Sequence, residues 1–399
     1  MKTGLLIGCL TIASVAQAQE ILDHVGEALT FSALNDTVRA RFSGTIDLEG
    51  YHFEQPTPGL IDSDGDFLFN PRLTLFLDAQ AGSNVYAFVQ ARFDRGFDPT
   101  DHGPQIRLDE YALRVTPWQN GIVSLQLGKF ATVVGSYAPR HLSWENPFIT
   151  APLLYENLTA LQDSYGYLVQ HYDAALAYDK YELIPVVWGP SYATGVSLSG
   201  RVGSFDYAAE IKNRSLSSRP ETWDLNRVGF ENPTYSARLG WRPNQMWNFG
   251  LSLSDGAYLM PSASHVLPPG KDVGDFREQV LAQDISFAWH HMQFWAEVYE
   301  ARFDIPRLGN AGTVAWYLEA KYKFAPQFFA ALRWNQQFFG TTDEPGSVPL
   351  GPDLFRVDAS AAYRFTEHSQ FKVQYSYQHQ TSGNGEDNHL LAAQFTVRF

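Results

Sequence analysis

From Val38 to Glu49 the chain switches between apolar and polar at every step. Val38, Ala40, Phe42, Gly44, Ile46 and Leu48 fall on one side, and Arg39, Arg41, Ser43, Thr45, Asp47 and Glu49 on the other. A strand turns successive side chains to opposite faces, so such a segment needs an apolar surface on one side and a wet one on the other. The alternation returns at Phe355–Phe365, at Phe371–Gln378 and from Leu391 to Phe399. A soluble sandwich also alternates. Here, however, the polar face carries Arg and Lys through strand middles, and the apolar face gathers Phe, Tyr and Trp near strand ends. Both features fit a barrel in a membrane, with a wet interior and aromatic girdles at the two interfaces.

Connections alternate between short and long. Short turns fall at Ala81–Ser83, Gly203–Ser204, Pro243–Gln245, Ala325–Pro326 and Thr366–His368. Longer Gly-, Pro- and Asp-rich loops fall at His52–Asp66, Asp94–Gln105, Ser215–Glu231, Ala257–Arg277, Asp304–Gly312, Gly340–Leu354 and Thr381–Asn388. Bacterial barrels keep short turns in the periplasm and long loops outside, which orients the chain. The rhythm predicts about 16 strands, an even number with both ends periplasmic. Asn70–Pro71 inside the second strand predicts a bulge, because proline cannot donate to the ladder. Ala131–Ser191 breaks the rhythm, and a connection that long is usually functional. Part of it, Tyr165–Tyr178, could instead supply one more hairpin.

A targeting segment precedes the barrel. Lys2, the apolar run Gly4–Val15 and the small-x-small Ala16–Gln17–Ala18 predict cleavage after Ala18. A lipoprotein box at Leu6–Cys9 is the rival reading, with too few apolar residues between Lys2 and Cys9 to favour it. Cleavage removes the single Cys, leaving no disulfide, thiolate site or Cys nucleophile. It also takes the formal net charge from −14 to −14 − 1 = −15. That acidic balance argues against a nucleic-acid partner. No apolar run is long enough for a transmembrane helix. Ile21, Leu22, Val25 and Leu29 have helical spacing, predicting a short periplasmic helix. The expected organisation is a signal peptide (1–18), a periplasmic segment (19–35) and one barrel (36–399). Length alone would suggest several domains. The same texture, 15% aromatic and only 18% charged, nevertheless runs on with no linker.

Two segments carry a family resemblance. Leu391, Ala393, Phe395, Val397 and Phe399 resemble the terminal strand of bacterial outer-membrane proteins, which implies that Phe399 is read by the barrel-assembly machinery. Leu108-Asp109-Glu110-Tyr111-Ala112-Leu113-Arg114, a turn, then Leu127-Gly128-Lys129-Phe130 resembles the fourth and fifth strands of phosphate-selective porins of the O and P type. This likeness, over Ile106–Tyr155, implies a sixteen-stranded barrel, commonly a homotrimer. It also implies that the next loop, Ala131–Ser191, folds inward and constricts the pore. Phosphate-selecting members line the constriction with clustered Lys and Arg. Here the loop has only Arg140 and Lys180, against six acids that include Glu145, Glu156 and Asp163, so phosphate selectivity is not carried over.

The alternation assigns Arg39, Arg41, Arg72, Arg92, Arg114, Arg238, Arg333, Arg356 and Arg364 to the pore lining. Arg140, Glu145, Glu156 and Asp163 of the loop would face them. The charges read either as a transverse field across a gap or as cross-strand pairs that stiffen the wall. Trp144, Phe148 and Tyr155 read as a sugar track or, more commonly, as anchors of the loop. No H-E-x-x-H or G-x-S-x-G pattern occurs, and His290 and His291 would point to opposite faces of a strand. The expectation is an all-β, transmembrane antiparallel β-barrel of the bacterial outer membrane. It would be a porin without catalytic residues, cofactor or metal, passing small hydrophilic solutes or ions, with anions such as phosphate among the candidates. Its partners would be outer-membrane lipid, the solutes, two further copies and the assembly machinery. A barrel enzyme acting on lipids and a non-conducting adhesin or structural barrel are the other classes.

Overall fold

The computed structural model describes residues 19–94, 105–118, 120–178, 180–343 and 348–399. The targeting segment and most of the loop expected at Asp94–Gln105 lie outside the described residues. A helix α1 (19–28) is followed by β1 (Thr30–Ala33), β2 (Val38–Phe53), β3 (Phe67–Ala81), β4 (Val85–Asp94), β5 (Gln105–Val115) and β6 (Ser124–Lys129). The long connection after β6 holds three short strands, β7 (Leu158–Gln162), β8 (Tyr167–Leu168) and β9 (Leu183–Pro185), with helix α2 (Tyr172–Tyr178) between the last two. Then come β10 (Thr194–Val202), β11 (Phe205–Lys212), β12 (Thr234–Trp241), β13 (Trp247–Ala257), β14 (Arg277–Trp289) and β15 (Met292–Ile305). The chain ends with β16 (Gly309–Lys323), β17 (Phe328–Phe339), β18 (Leu354–Arg364), β19 (Ser369–Gln380) and β20 (Asp387–Arg398).

Sixteen of these strands, β2–β6 and β10–β20, pair antiparallel in sequence order. The ring closes where β6 pairs with β10 and β2 with β20. Closure removes every free edge, which lipid requires because it offers backbone groups no partner. At the seam, Phe399 and Gly44 exchange backbone hydrogen bonds of 3.0 and 3.2 Å. A Cβ on Gly44 would lie 2.7 Å from the Phe399 ring and 2.9 Å from the Thr74 carbonyl, so only glycine fits under the ring.

The alternation turns Ile46, Leu48, Leu251, Leu253, Leu332 and Leu391 outwards, where all are exposed to what would be lipid. Near the short turns, Trp241, Trp289, Tyr322, Phe324, Tyr363 and Phe365 form the expected girdle. The apolar core lies inside the barrel rather than in the wall. Leu161, Ile184, Val186 and Trp188 of the long connection pack against Tyr258 and Leu259 of another loop and Phe303 and Ile305 of β15.

Three local expectations change. β2 and β3 keep register through Pro71, with no bulge there. The β3–β4 pairing begins only at Leu73, so the proline sits where β3 has a single recorded neighbour. The loop expected at Asp304–Gly312 shrinks to three residues, because β15 runs on to Ile305 and β16 starts at Gly309. Arg307 and Gly309, both at positive φ, make that turn. Tyr165–Tyr178 forms β8 and α2 rather than a barrel hairpin.

Candidate functional site

The connection between β6 and β10 runs through the barrel interior, held by inward-facing wall residues in succession. The Ala131 N–H donates to Glu110 Oε1 on β5 at 2.7 Å, and Thr132 Oγ1 to Glu210 on β11 at 2.8 Å. On β15, Glu297 takes Ser136 Oγ on one oxygen at 2.7 Å and the Tyr155 hydroxyl on the other at 2.5 Å. Arg140 reaches Glu319 at 2.6 Å and the Tyr317 hydroxyl at 2.8 Å, both on β16. Lys372 on β19 donates to the carbonyls of Ser143, Asn146 and Phe148 at 2.7, 3.0 and 3.1 Å. The return passes β17 and β18, where Arg333 meets the Ala151 carbonyl at 3.0 Å and Arg356 meets Glu156 at 2.5 Å. The segment therefore covers the inner wall from β11 round to β19. Each bond contributes about 0.5–1.5 kcal/mol, and the set is cooperative because an unmet buried partner costs about 1–3 kcal/mol.

The aromatic residues of this segment act as anchors. The guanidinium groups of Arg364 and Arg398 lie over the Trp144 ring, 4.8 and 4.0 Å from its centre. Phe148 lies under Arg333 at 4.2 Å. Tyr155 is buried against Glu297 and Tyr299. None of the three is laid open as a sugar track.

Charges expected to face each other across a gap are in contact. Arg356 pairs with Glu156 of the loop and Asp358 of its own strand, and Arg333 with Asp358 at 2.8 Å. Arg238 pairs with Asp284 at 2.6 Å, and Asp163 with Arg219 of another loop. Burial nevertheless raises the pKa of Asp163, a pull that Arg219 opposes. Glu145 is exposed near the short-turn end, beside Lys321 and Arg364. Arg39, Arg41 and Arg114 are exposed near the same end of their strands.

On the sector from β20 through β2 to β5 a small cavity lies between the wall and the long connection. Arg72, Arg92 and Arg107 form a ladder there, with Arg92 directly opposite Arg107 and Thr74 opposite Arg92. Like charges facing across a ladder repel unless neutralised. Arg72 meets Glu49 at 2.5 Å, Arg92 meets Asp94 at 2.9 Å, and Arg107 meets Asp109 at 2.5 Å. A cavity of about 130 Å³ separates this ladder from Asn146, Tyr155, Trp188 and Tyr192 of the long connection.

Arg107 and Asp109 escape a strict alternation. The register between β4 and β5 passes from Gln90–Glu110 to Ala91–Leu108, so Asp109 is an unpaired bulge residue. The bulge reverses parity: Leu108 and Leu113, an odd number of residues apart, are both exposed outwards. Two adjacent acids between those leucines were the sequence signal.

Two titratable groups of the long connection are held neutral-leaning by their surroundings. His141 edges the cavity with Nδ1 on the Ala138 carbonyl and Nε2 on the Tyr192 hydroxyl, each at 2.5 Å. A neutral ring with its proton on Nδ1 satisfies both, and burial lowers its pKa to about 4. Lys180 donates to the Thr57 and Ile61 carbonyls, each at 2.6 Å, and burial lowers its pKa to about 7.

No protein-family model and no curated protein sequence matches the chain. Solved structures do. An anion-selective porin from Comamonas acidovorans is similar with a TM-score of 0.56 at 9% identity, covering 91% of this chain and 100% of that one. The outer-membrane channel DcaP of Acinetobacter baumannii is similar with a TM-score of 0.56 at 11% identity, covering 92% and 99%. OmpT of Vibrio cholerae in a trimer form gives 0.55 at 12% identity, covering 91% and 100%. Closure, an apolar outer belt and these likenesses agree: the chain has the sixteen-stranded transmembrane β-barrel fold of bacterial outer-membrane porins.

Proposed function

We propose that the chain is an outer-membrane porin, a passive diffusion channel for small hydrophilic solutes or ions. The observation that carries this reading is the inward segment bound from β11 round to β19, with a cavity of about 130 Å³ between it and the arginine ladder of β3–β5. In this reading the Ala131–Ser191 loop sets the constriction. Arg72 and Arg92, with Arg107, line its narrow part. Arg333, Arg356, Arg140 and Glu156 hold the loop, and Arg39, Arg41, Arg114 and Arg364 stand at the periplasmic mouth. The small cavity favours small solutes. The likeness over Ile106–Tyr155 to the phosphate-selective type adds an anion, phosphate first, as the solute to test. No residue is assigned a catalytic role.

The working unit is a homotrimer. Over β3–β6, near the short turns, Leu77, Leu113 and Leu125 face outwards with Ala79 and Ala87 between them, and an exposed Trp118 lies beyond them in the β5–β6 turn. A contiguous aliphatic sector of the wall suits contact with further copies better than a lipid interface, where Trp and Tyr are favoured. Phe399, at the closing seam, serves the assembly machinery.

The reversal potential of the purified protein in a planar bilayer under a KCl gradient tests the proposal. Steady conductance is expected, and an anion-signed potential makes phosphate competition the next step. Folded protein that never conducts overturns the channel.

A further inference from the structure

A trough of about 840 Å³ runs down the outer wall across β10–β15. Its floor is shallow because Ala209 and Ala237 lie opposite each other on β11 and β12, flanked by Leu198, Ile211, Leu253 and Leu281. Its upper rim, at the long-loop end, is polar. Tyr235, Asp255, Gln279 and Arg302 fall in one cross-strand row, and Glu300 lies one step below beside Leu281.

Asp255 is satisfied by Arg277 and by Gln279 at 3.0 Å. Glu300 and Arg302 are exposed, and neither has an ion-pair partner among the described residues. Charged side chains facing lipid cost up to about 2–4 kcal/mol at the midplane, less near the interface. A row that keeps both signs of charge above an apolar floor is therefore matched to an amphiphile with a charged, hydrogen-bonding head.

We propose that this trough binds a phosphorylated glycolipid of the outer leaflet, its acyl chains along the Ala209–Ala237 floor and its phosphate and sugar hydroxyls at Arg302, Glu300 and Gln279. Arg302 supplies the cation for a phosphate, and Glu300 and Gln279 accept from sugar hydroxyls. The long-loop position selects the outer leaflet. The proposal rests on the outer-membrane placement, but not on conduction.

Native mass spectrometry of the full-length protein in detergent, loaded with bisphosphorylated lipid A or with phosphatidylethanolamine, tests it. Wild type is expected to retain lipid A in preference. The double variant Glu300→Leu plus Arg302→Leu and the floor-filling Ala237→Trp should each weaken retention about tenfold. Heat-modifiable migration shows that each variant is folded, and removing lipid-facing charge should not harm folding. Equal retention by variants and wild type overturns the proposal, as does equal retention of phosphatidylethanolamine. Loss of the oligomer in Ala237→Trp would assign the trough to a second copy instead. Conductance of the same samples reads the channel separately: conducting variants with unchanged lipid overturn only the lipid site, and a silent wild type that retains lipid A overturns only the channel.

Discussion

Tyr155 of the inward loop donates a 2.5 Å hydrogen bond to Glu297 of β15, and the other oxygen of that carboxylate holds Ser136 from an earlier part of the same loop. One wall residue thus fastens two stretches of the loop at once. Glu297→Ala takes the acceptor from the part-buried Ser136 groups and leaves the Tyr155 hydroxyl only the Tyr299 hydroxyl at 2.9 Å among the described residues, where an unmet buried group costs about 1–3 kcal/mol. The barrel should still close, because the β15 ladder does not depend on this side chain. Single-channel recording should show larger and noisier conductance, with Glu297→Gln in between. Identical conductance in the alanine variant would mean that the loop is not in the path.

Neutralising the ladder should change ion preference. In Arg92→Gln plus Arg107→Gln, Asp94 and Asp109 lose the cations they now meet at 2.9 and 2.5 Å. The reversal potential under a salt gradient should move towards cations, and by more than for Arg41→Gln, whose side chain is exposed near the short-turn end. A potential that responds only to Arg41 would put the selective step at the mouth.

Acid should loosen the loop through His141. Its folded pKa lies near 4, against an ordinary value of 6.5. The stability that its neutral form contributes is therefore complete above 6.5 and is lost as pH falls towards 4, where protonation removes the acceptor for the Tyr192 hydroxyl. Hydrogen exchange of residues 138–148, corrected for intrinsic rates, should accelerate over that window. His141→Gln should flatten the response; an unchanged pH profile in that variant would clear His141.

The seam between first and last barrel strands should be intolerant of bulk. Gly44→Val puts a branched side chain where the Phe399 ring lies, within 2.7 Å of the nearest Cβ position. Folded yield in cells should fall several-fold, as it should on deletion of Phe399. Leu332→Val, on an outward position of β17, serves as the tolerated control. Normal yield from both seam variants would remove Phe399 from the assembly role.

Much of the wall was legible because a strand in a barrel has only two faces and lipid punishes a wrong choice. All sixteen strands lie within a few residues of where alternation and turn rhythm put them. The helix 19–28 followed from Ile21, Leu22, Val25 and Leu29. Period two says which face a residue occupies but not what waits opposite. Glu297, Glu319 and Lys372 were legible as inward residues, yet their partners come from a loop some two hundred residues away, and nothing local encodes that meeting. Asp109 is a different case. One unpaired residue reverses the alternation before it, so a strict period of two carried back from Glu110 would turn Arg107 outwards, whereas the bulge sets it opposite Arg92. The pairing of Arg356 with Glu156 replaced an expected field across a gap by contact, because the loop lies against the wall instead of hanging opposite it.

Hydrogen bonding of β2 to β20 makes the strand order cyclic, so no strand is architecturally the first. The ends of the barrel domain meet on the short-turn side, where a brief linker could join them. New ends opened in the surface segment 381–386 would leave every ladder intact. A circular permutant made that way should close like the parent when refolded in detergent, but in cells it should insert poorly, because its last strand then ends at Gln380 and not at Phe399. Shape and export instructions would then be separable properties of one polypeptide.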